Sequence, residues 1–492
     1  MNMNWKTIVA PIITMSMMLT AVACSTSSSG GQESGGKSTE SGKVTPSTES
    51  TVYPENGLPK DQKVTLKMGF FDGGNGKAYI DYAISTFEKK FPNVKFELTA
   101  SPKINDLITT KIAANNDDDM FDLFTGDISG GEGAVVNLLK QGKLEVQDDL
   151  YDHKVYDGGG KTIRELAVDG LNESNPRYAN KILAVPIFTT SAGMFYNKKL
   201  FEQNGWNRTP KTWSEFTNLL ESIKTKGLIP LTYPGVYPYY LDSYGFGNYK
   251  MFEIADRNGN QKAFEDNYRS YNGSQYTSPE SIEMWTKIYE LGKKGYFAGG
   301  VAGLNHTQSE MLVLQGKAAM VLSGGWIENE MKASTPEGFE WGFFSVPMGD
   351  QDNGTIKLLN IVAGNSGFLW AKKPDLNKKW AKEFMVWQWN LDIQEKLVET
   401  GSVSVRKDYM NDSARAGRVK GLTKEMMEYA KNVKTKYVAP SRDINLTDPA
   451  VTTADKIMKE GMNDIALGKK EPKPILEAAE KELQKAIAAS KK

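Results

Sequence analysis

At 492 residues the chain is too long for one simple core, so two or more domains are expected. Lys+Arg and Asp+Glu each number 60, which excludes a global field favouring nucleic acid or an anionic membrane surface. A single cysteine excludes disulfides within the chain and leaves stability to packing. The 10 Trp, 21 Tyr and 20 Phe suit stacking on carbohydrate, and large cores use them too.

Met1–Lys6 carries one Lys, and Ile8–Val22 is uncharged and mostly apolar. That run is too short and too weakly flanked for a membrane-spanning helix, so residues 1–23 read as an export signal. It ends in Ala21-Val22-Ala23-Cys24, which resembles a bacterial lipobox, with Ala21 where Leu is more usual. Lipidation of Cys24 is the expectation; the alternative is an ordinary signal peptide with a coincidental Cys. Ser25–Ser50 is rich in Ser, Gly, Thr and Glu and cannot bury surface, so residues 24–62 are expected to form a flexible tether. The expected location is the extracellular face of a cell membrane.

Folding is expected from Lys63. Val64, Leu66, Met68 and Phe70 alternate with smaller or polar residues, the pattern of a strand. After the turn Phe71–Gly76, Tyr79, Tyr82, Ala83, Phe87 and Phe91 mark a helix face. A strand at Val94–Leu98, a helix through Leu107–Ala114 and a strand at Phe121–Thr125 complete a parallel α/β arrangement. Ligands of such sheets bind beyond the carboxyl ends of the strands, where Asp72 and Asp127 lie. Either carboxylate could accept from sugar hydroxyls, or serve as a turn or helix cap.

Leu183–Phe188 and Gly193–Tyr196 read as consecutive strands, with Thr189-Thr190-Ser191 as a hinge between lobes. Pro210–Glu215 opens a helix whose Thr212 and Glu215 fit a capping box and whose Trp213 faces the core. Tyr233–Tyr249 gathers seven aromatic residues, Tyr239 and Tyr240 among them, with no regular period. Such a loop offers a recognition surface or simply tucks onto the core. Asp256-x-Asn258-x-Asn260 starts like a calcium loop but has Gln261 and Asn267 where Gly and Glu are needed, so a hairpin turn is expected. Asp117-Asp118-Asp119 reads as a solvated loop. No metal or cofactor is expected, and no nucleophile or metal motif includes His153 or His306.

Gln315–Trp326, QGKAAMVLSGGW, reads as a helix end, a turn, a buried strand and a Gly-Gly step that presents an indole. Trp326 can cover the apolar C–H face of a sugar ring; the alternative is a core Trp after a strand. Trp341–Val346 and Gly367–Ala371 read as strands, Asp375–Asn390 and Asp392–Glu399 as helices, Gly401–Arg406 as extended, and Thr423–Lys492 as helical.

Seven segments, in this order, resemble the family 1 extracellular solute-binding proteins, the sugar receptors of ABC importers. They are Phe91–Thr99, Asp122–Gly131, Ala184–Gly205, Pro210–Phe216, Gln315–Trp326, Lys378–Trp387 and Gly401–Asp408. The resemblance implies an α/β, two-lobed periplasmic-binding-protein type II-like fold with a ligand cleft between the lobes. The first lobe would use residues 63–187 and 341–393, the second 188–340 and 394–492. Ligand contacts would fall on Phe71, Asp72 and Asn75, on Asp127, Thr190, Tyr239 or Tyr240, and on Trp326. Arg406 lies near a crossover, where it would reach the cleft or pair on the surface. In maltose-binding protein an acidic residue matches Thr190, which argues against maltose. The implied protein is a monomeric, lipid-anchored receptor that binds a carbohydrate, closes by a hinge and serves an ABC permease, and is not an enzyme. The competing classes are a secreted glycoside hydrolase, which needs two carboxylates about one bond, and a surface lipoprotein with a protein partner.

Overall fold

The computed structural model describes residues 51–168, 171–246, 248–349, 357–433, 435–438 and 442–490. The expected export signal, Cys24 and Ser25–Ser50 lie outside them. The described strands are, in chain order, β1 (Val64–Phe71), β2 (Val94–Ser101), β3 (Leu123–Phe124), β4 (Pro186–Asn197), β5 (Ile229–Thr232), β6 (Ala318–Gly324), β7 (Trp341–Phe344), β8 (Lys357–Asn365), β9 (Phe368–Leu369), β10 (Val403–Ser404) and β11 (Thr435–Val438).

These strands build two sheets, one per lobe. The first has the order β2-β1-β3-β9, parallel from β2 to β3 and closed by antiparallel β9. Its parallel part is the arrangement that the alternation of strand and helix predicts. Val64, Leu66, Met68 and Phe70 bury one face of β1, and the helix Ala78–Lys90 covers them with Tyr79, Ile80, Ala83 and Phe87. Phe87, Phe91, Trp380 and Phe384 then interlock edge-on or tilted in the core, as ring quadrupoles favour. The second sheet has the order β11-β8-β4-β6-β5, with β7 and β10 also paired to β4. A larger core that includes Trp285, Leu322, Phe344 and Met462 packs around it.

Residues before Lys63 take part in the fold. Val52 and Pro59 form a β-bridge, and Tyr53 and Leu58 sink into the first lobe. The Tyr53 ring meets Phe91 at 4.9 Å and Trp380 at 5.7 Å, and its hydroxyl donates to Asn93 Oδ1 at 2.8 Å. Two buried side chains in a polar stretch set up no period, which is why composition reads it as tether.

The hinge also differs from expectation. Thr189-Thr190-Ser191 lies inside β4, a continuous strand of 12 residues. Ile187 belongs to the first core and Met194 to the second, so β4 itself crosses between the lobes. Antiparallel β8 pairs with it from Pro186 to Ala192, and β10 pairs with Phe188 and Thr189.

Two lobe boundaries move as well. Trp341–Met348 was expected in the first lobe, but β7 pairs with β4, and Trp341, Phe343, Phe344, Val346 and Met348 join the second core. An aromatic strand carries no label for its lobe; sheet pairing decides. The first lobe's second part extends past 393, because Leu397 and Val405 remain in its core. Thr423–Lys492 is not helical throughout: β11 and a non-helical stretch separate the helix Gly421–Asn432 from Pro449–Ala466 and Pro472–Ser490. Asp256–Asn260 forms a helix-to-helix turn rather than a hairpin, between Asn248–Arg257 and Gln261–Arg269. Asp117 accepts from Lys143 Nζ and Trp370 Nε1, each at 2.8 Å, and Asp119 from Lys111 Nζ at 2.6 Å. Thr212 caps its helix by accepting from Glu215 N–H, whereas the Glu215 carboxylate accepts from Lys211 N–H instead of returning to Thr212.

Tyr53→Ala should therefore destabilise the protein by about 3 kcal/mol, as deletion of a buried aromatic does. Chemical denaturation measures this; a change near zero would return residues 51–62 to the tether.

Candidate ligand-binding cleft

β6 is buried along its whole length and ends in Gly324-Gly325. A Cβ on Gly324 would fall 2.2 Å from the Trp326 indole, so only glycine lets the ring fold back over the strand end. A Cβ on Gly325 would fall 2.2 Å from Thr190 Oγ1 and 2.6 Å from the Met426 methyl. The glycine pair thus seats Trp326 directly on the crossing strand β4. The indole stays partly exposed.

The first lobe meets Trp326 with the turn after β1. A Cβ at Gly74 would lie 3.6 Å from Trp326 Cβ, and Asn329 Nδ2 donates to the Gly74 carbonyl at 2.6 Å. Phe71 is exposed on this turn, with its N–H bonded to Thr125 Oγ1 at 2.8 Å and its ring against Gly73. Asp72 and Asn75 are half-buried beside it.

The tyrosine run forms the adjoining wall. Tyr240–Phe246 is a wide π-helical turn, a geometry that often marks functional sites and whose period matches neither helix nor strand templates. Tyr244 sets its ring edge-on to Trp326, with centroids 5.6 Å apart. Tyr237 and Tyr239 are each 38% exposed. Asp127 is exposed on the turn after β3, its N–H held by Asn105 Oδ1 at 3.0 Å. Burial, then the Asp127 charge, pushes the Tyr244 hydroxyl up to about 12. Burial, Tyr244 and Asp127 raise the Tyr239 hydroxyl as well. Both phenols stay protonated and can donate, while Asp127 accepts; sugar hydroxyls need both.

The structure sets the Phe71–Asn75 turn of the first lobe beside Trp326 of the second, with Tyr244 against Trp326 and Tyr239 against Tyr244; Asp127 is exposed on the turn after β3. It adds Tyr244, which the residue pattern did not single out. Three other expected contacts sit elsewhere. Thr190 is buried beneath the Gly325 turn. Tyr240 is 3% exposed and shares a 2.8 Å hydrogen bond between its hydroxyl and His306 Nδ1, so it backs the wall rather than faces the cleft. Arg406 is 2% exposed and lies in the first lobe. It donates through Nε and Nη2 to Asp408 at 2.9 and 2.7 Å, through Nη1 to the Trp389 carbonyl at 3.1 Å, and also to Asp157. Four of its five N–H donors are held by these structural partners, and it does not reach the cleft.

Behind the wall, Glu310 is 1% exposed. It accepts from Ser323 Oγ at 3.0 Å through Oε1, and its Oε2 has no partner among the described residues. Burial, then the nearby Glu330, raises its carboxyl well above the usual range.

A profile of the bacterial extracellular solute-binding protein family matches residues 73–388. The chain belongs to that family. Its members' two-lobed fold accounts for the two sheets and the three strands at the crossing. The diacetylchitobiose binding protein NgcE of Streptomyces coelicolor is 27% identical over 359 residues, covering 72% of this chain and 70% of that protein. The multiple sugar-binding protein of Streptococcus mutans is 24% identical over 309 residues, 60% of this chain and 65% of that one. Among solved structures, a chitin oligosaccharide binding protein superposes with a TM-score of 0.62 at 20% identity, covering 87% of this chain and 99% of its own.

Two substitutions test these placements. Arg406→Met should lower stability by about 2–3 kcal/mol, below the fully buried case because both carboxylate partners keep some solvent. It should leave ligand affinity unchanged, as denaturation and calorimetry would show. Glu310 has a folded-state pKa above its unfolded value, so it costs stability as pH rises past the unfolded carboxyl value of about 4.3. Glu310→Gln should remove that cost, so that unfolding free energies at pH 5 and pH 8 lie closer together than in the parent protein.

Proposed function

We propose that the protein is an extracellular receptor, held to the cell membrane by a lipid on Cys24, that closes two lobes around an oligosaccharide and delivers it to the permease of an ABC importer. The observation that carries this reading is the partly exposed Trp326 indole of the second lobe facing the Gly74 turn of the first. A pyranose laid on that plate buries its C–H face, while Asp127 accepts from its hydroxyls and Tyr239 and Tyr244 donate. Contacts of one ligand to both lobes favour the closed arrangement, and rotation about the paired crossing strands supplies the hinge. The receptor acts as a monomer, makes and breaks no bond, and needs no cofactor.

Relatives named for diacetylchitobiose and for multiple sugars make chitin-type oligosaccharides the first ligands to try, ahead of maltose-type ones. Titration calorimetry across both series, with analysis of the recovered glycan, separates the three classes of function. A receptor binds and returns the sugar intact and gains thermal stability. A glycoside hydrolase releases shorter products. A protein-binding lipoprotein does neither.

Trp326→Ala should weaken binding at least tenfold, about 1.4 kcal/mol, with the unfolding transition retained. Unchanged affinity in a folded variant would refute the platform.

A further inference from the structure

Behind the tyrosine wall, one helix reaches the Trp326 indole by two routes. The helix His306–Leu314 opens with a capping box: Asn305 Oδ1 accepts from Gln308 N–H at 2.9 Å, and Gln308 Oε1 accepts from Asn305 N–H at 3.0 Å. The box sets where the helix begins. His306 therefore leads the first turn, and Glu310 follows one turn later on the same face.

The first route runs through rings. The Tyr240 hydroxyl and His306 Nδ1 share a hydrogen bond of 2.8 Å, and the two rings meet edge-on with centroids 4.6 Å apart. Tyr237 packs on the same imidazole, also at 4.6 Å. Tyr240 meets Tyr244 edge-on at 4.6 Å, and Tyr244 meets Trp326 at 5.6 Å. Edge-to-face contacts hold relative orientation as well as distance, so the orientation of the imidazole passes along the rings to the indole. The second route runs along the strand. Glu310 Oε1 accepts from Ser323 Oγ at 3.0 Å, and Ser323 immediately precedes the Gly324-Gly325 step.

We infer that His306 and Glu310 are positioning residues of the Trp326 platform, His306 through Tyr240 and the tyrosine wall, Glu310 through Ser323 and the end of β6. What the platform binds rests on the carbohydrate reading above.

Burial favours the uncharged form of both side chains, and the N-terminus of a helix disfavours an imidazolium as well. With its proton on Nε2, a neutral imidazole accepts from the Tyr240 hydroxyl; an imidazolium carries protons on both nitrogens and cannot accept. The titratable groups around this ring are Glu310 on its own helix, Tyr237, Tyr239, Tyr240 and Tyr244 of the wall, and Glu330 beyond Trp326, while Asp127 of the first lobe acts on Tyr239 and Tyr244. The His306 pKa lies below its usual value, so its contribution to binding is present above that pKa and is lost as pH falls through it.

Calorimetry with the glycan that the parent protein binds, together with fluorine NMR of the fluorotryptophan-labelled whole chain, tests the inference. Affinity should fall roughly threefold from pH 7 to pH 5. His306→Phe and Glu310→Leu, which lack the acceptor, should each weaken binding roughly fivefold at pH 7. Tyr240→Phe removes only the hydroxyl and should copy His306→Phe, which keeps the test open where the latter fails to fold. His306→Asn offers Oδ1 in place of Nδ1, so it should keep most of the pH 7 affinity and lose the fall. Glu310→Gln still accepts from Ser323 and should keep both. Without sugar, the Trp326 resonance, identified by its loss in Trp326→Phe, should move in His306→Phe and Glu310→Leu and stay in place in His306→Asn and Glu310→Gln. A resonance indifferent to every variant would overturn the positioning roles whether or not a sugar binds. So would equal losses in the conservative and the disruptive variants. A resonance that moves as expected in a protein that binds no glycan would uphold the positioning roles and overturn the carbohydrate reading.

Discussion

The Gly324-Gly325 step is the constraint on which the site depends. Any side chain at either position would strike the indole or the crossing strand, at 2.2 Å in each case. The absence of two Cβ atoms lets a buried strand end in a large flat ring laid back over itself, partly exposed beside the Gly74 turn of the first lobe. The same two glycines press Trp326 and its turn against Thr190 on β4 and Met426 on the helix Gly421–Asn432. The indole is therefore anchored to the strand that crosses between the lobes.

That hinge is a piece of sheet. β4 enters from one core and ends in the other, and β8 and β10 pair with it at the crossing. Paired backbone twists and bends more readily than it stretches, so the proposed closure would rotate the lobes about the ladder. Polar contacts between the lobes among the described residues include two that bridge them directly. Asn329 to the Gly74 carbonyl is one, and the Ala179 N–H to Asn445 Oδ1 is another. Each is worth on the order of 1 kcal/mol net, an amount that a ligand touching both lobes readily exceeds. In the proposed reading, Tyr239 and Tyr244 of the second lobe and Asp127 of the first would supply such contacts.

Much of this was legible in the residues. Alternation in Val64–Phe70 and the helix face of Tyr79–Phe87 gave the first sheet and its cover, because each buries one face locally. Trp326 stood out because a glycine pair after a buried strand has few other uses. What the pattern missed depends on distant partners. Arg406 looks like a cleft cation until Asp157, far upstream in the chain, occupies its fork. Trp341–Phe344 reads as a strand of either lobe, and its pairing with Asn197–Met194 decides the matter. Tyr53 and Leu58 are two apolar residues in polar surroundings, too few to show a period, yet they close over Phe91 and Trp380. Tyr244 hid in a π-helical turn.

The most direct measurement is a crystal structure of the protein grown with a chitin-type tetrasaccharide. The account predicts a sugar ring flat on the Trp326 indole and Asp127 within hydrogen-bonding distance of its hydroxyls. A glycan bound elsewhere, with the indole covered by protein alone, would contradict it.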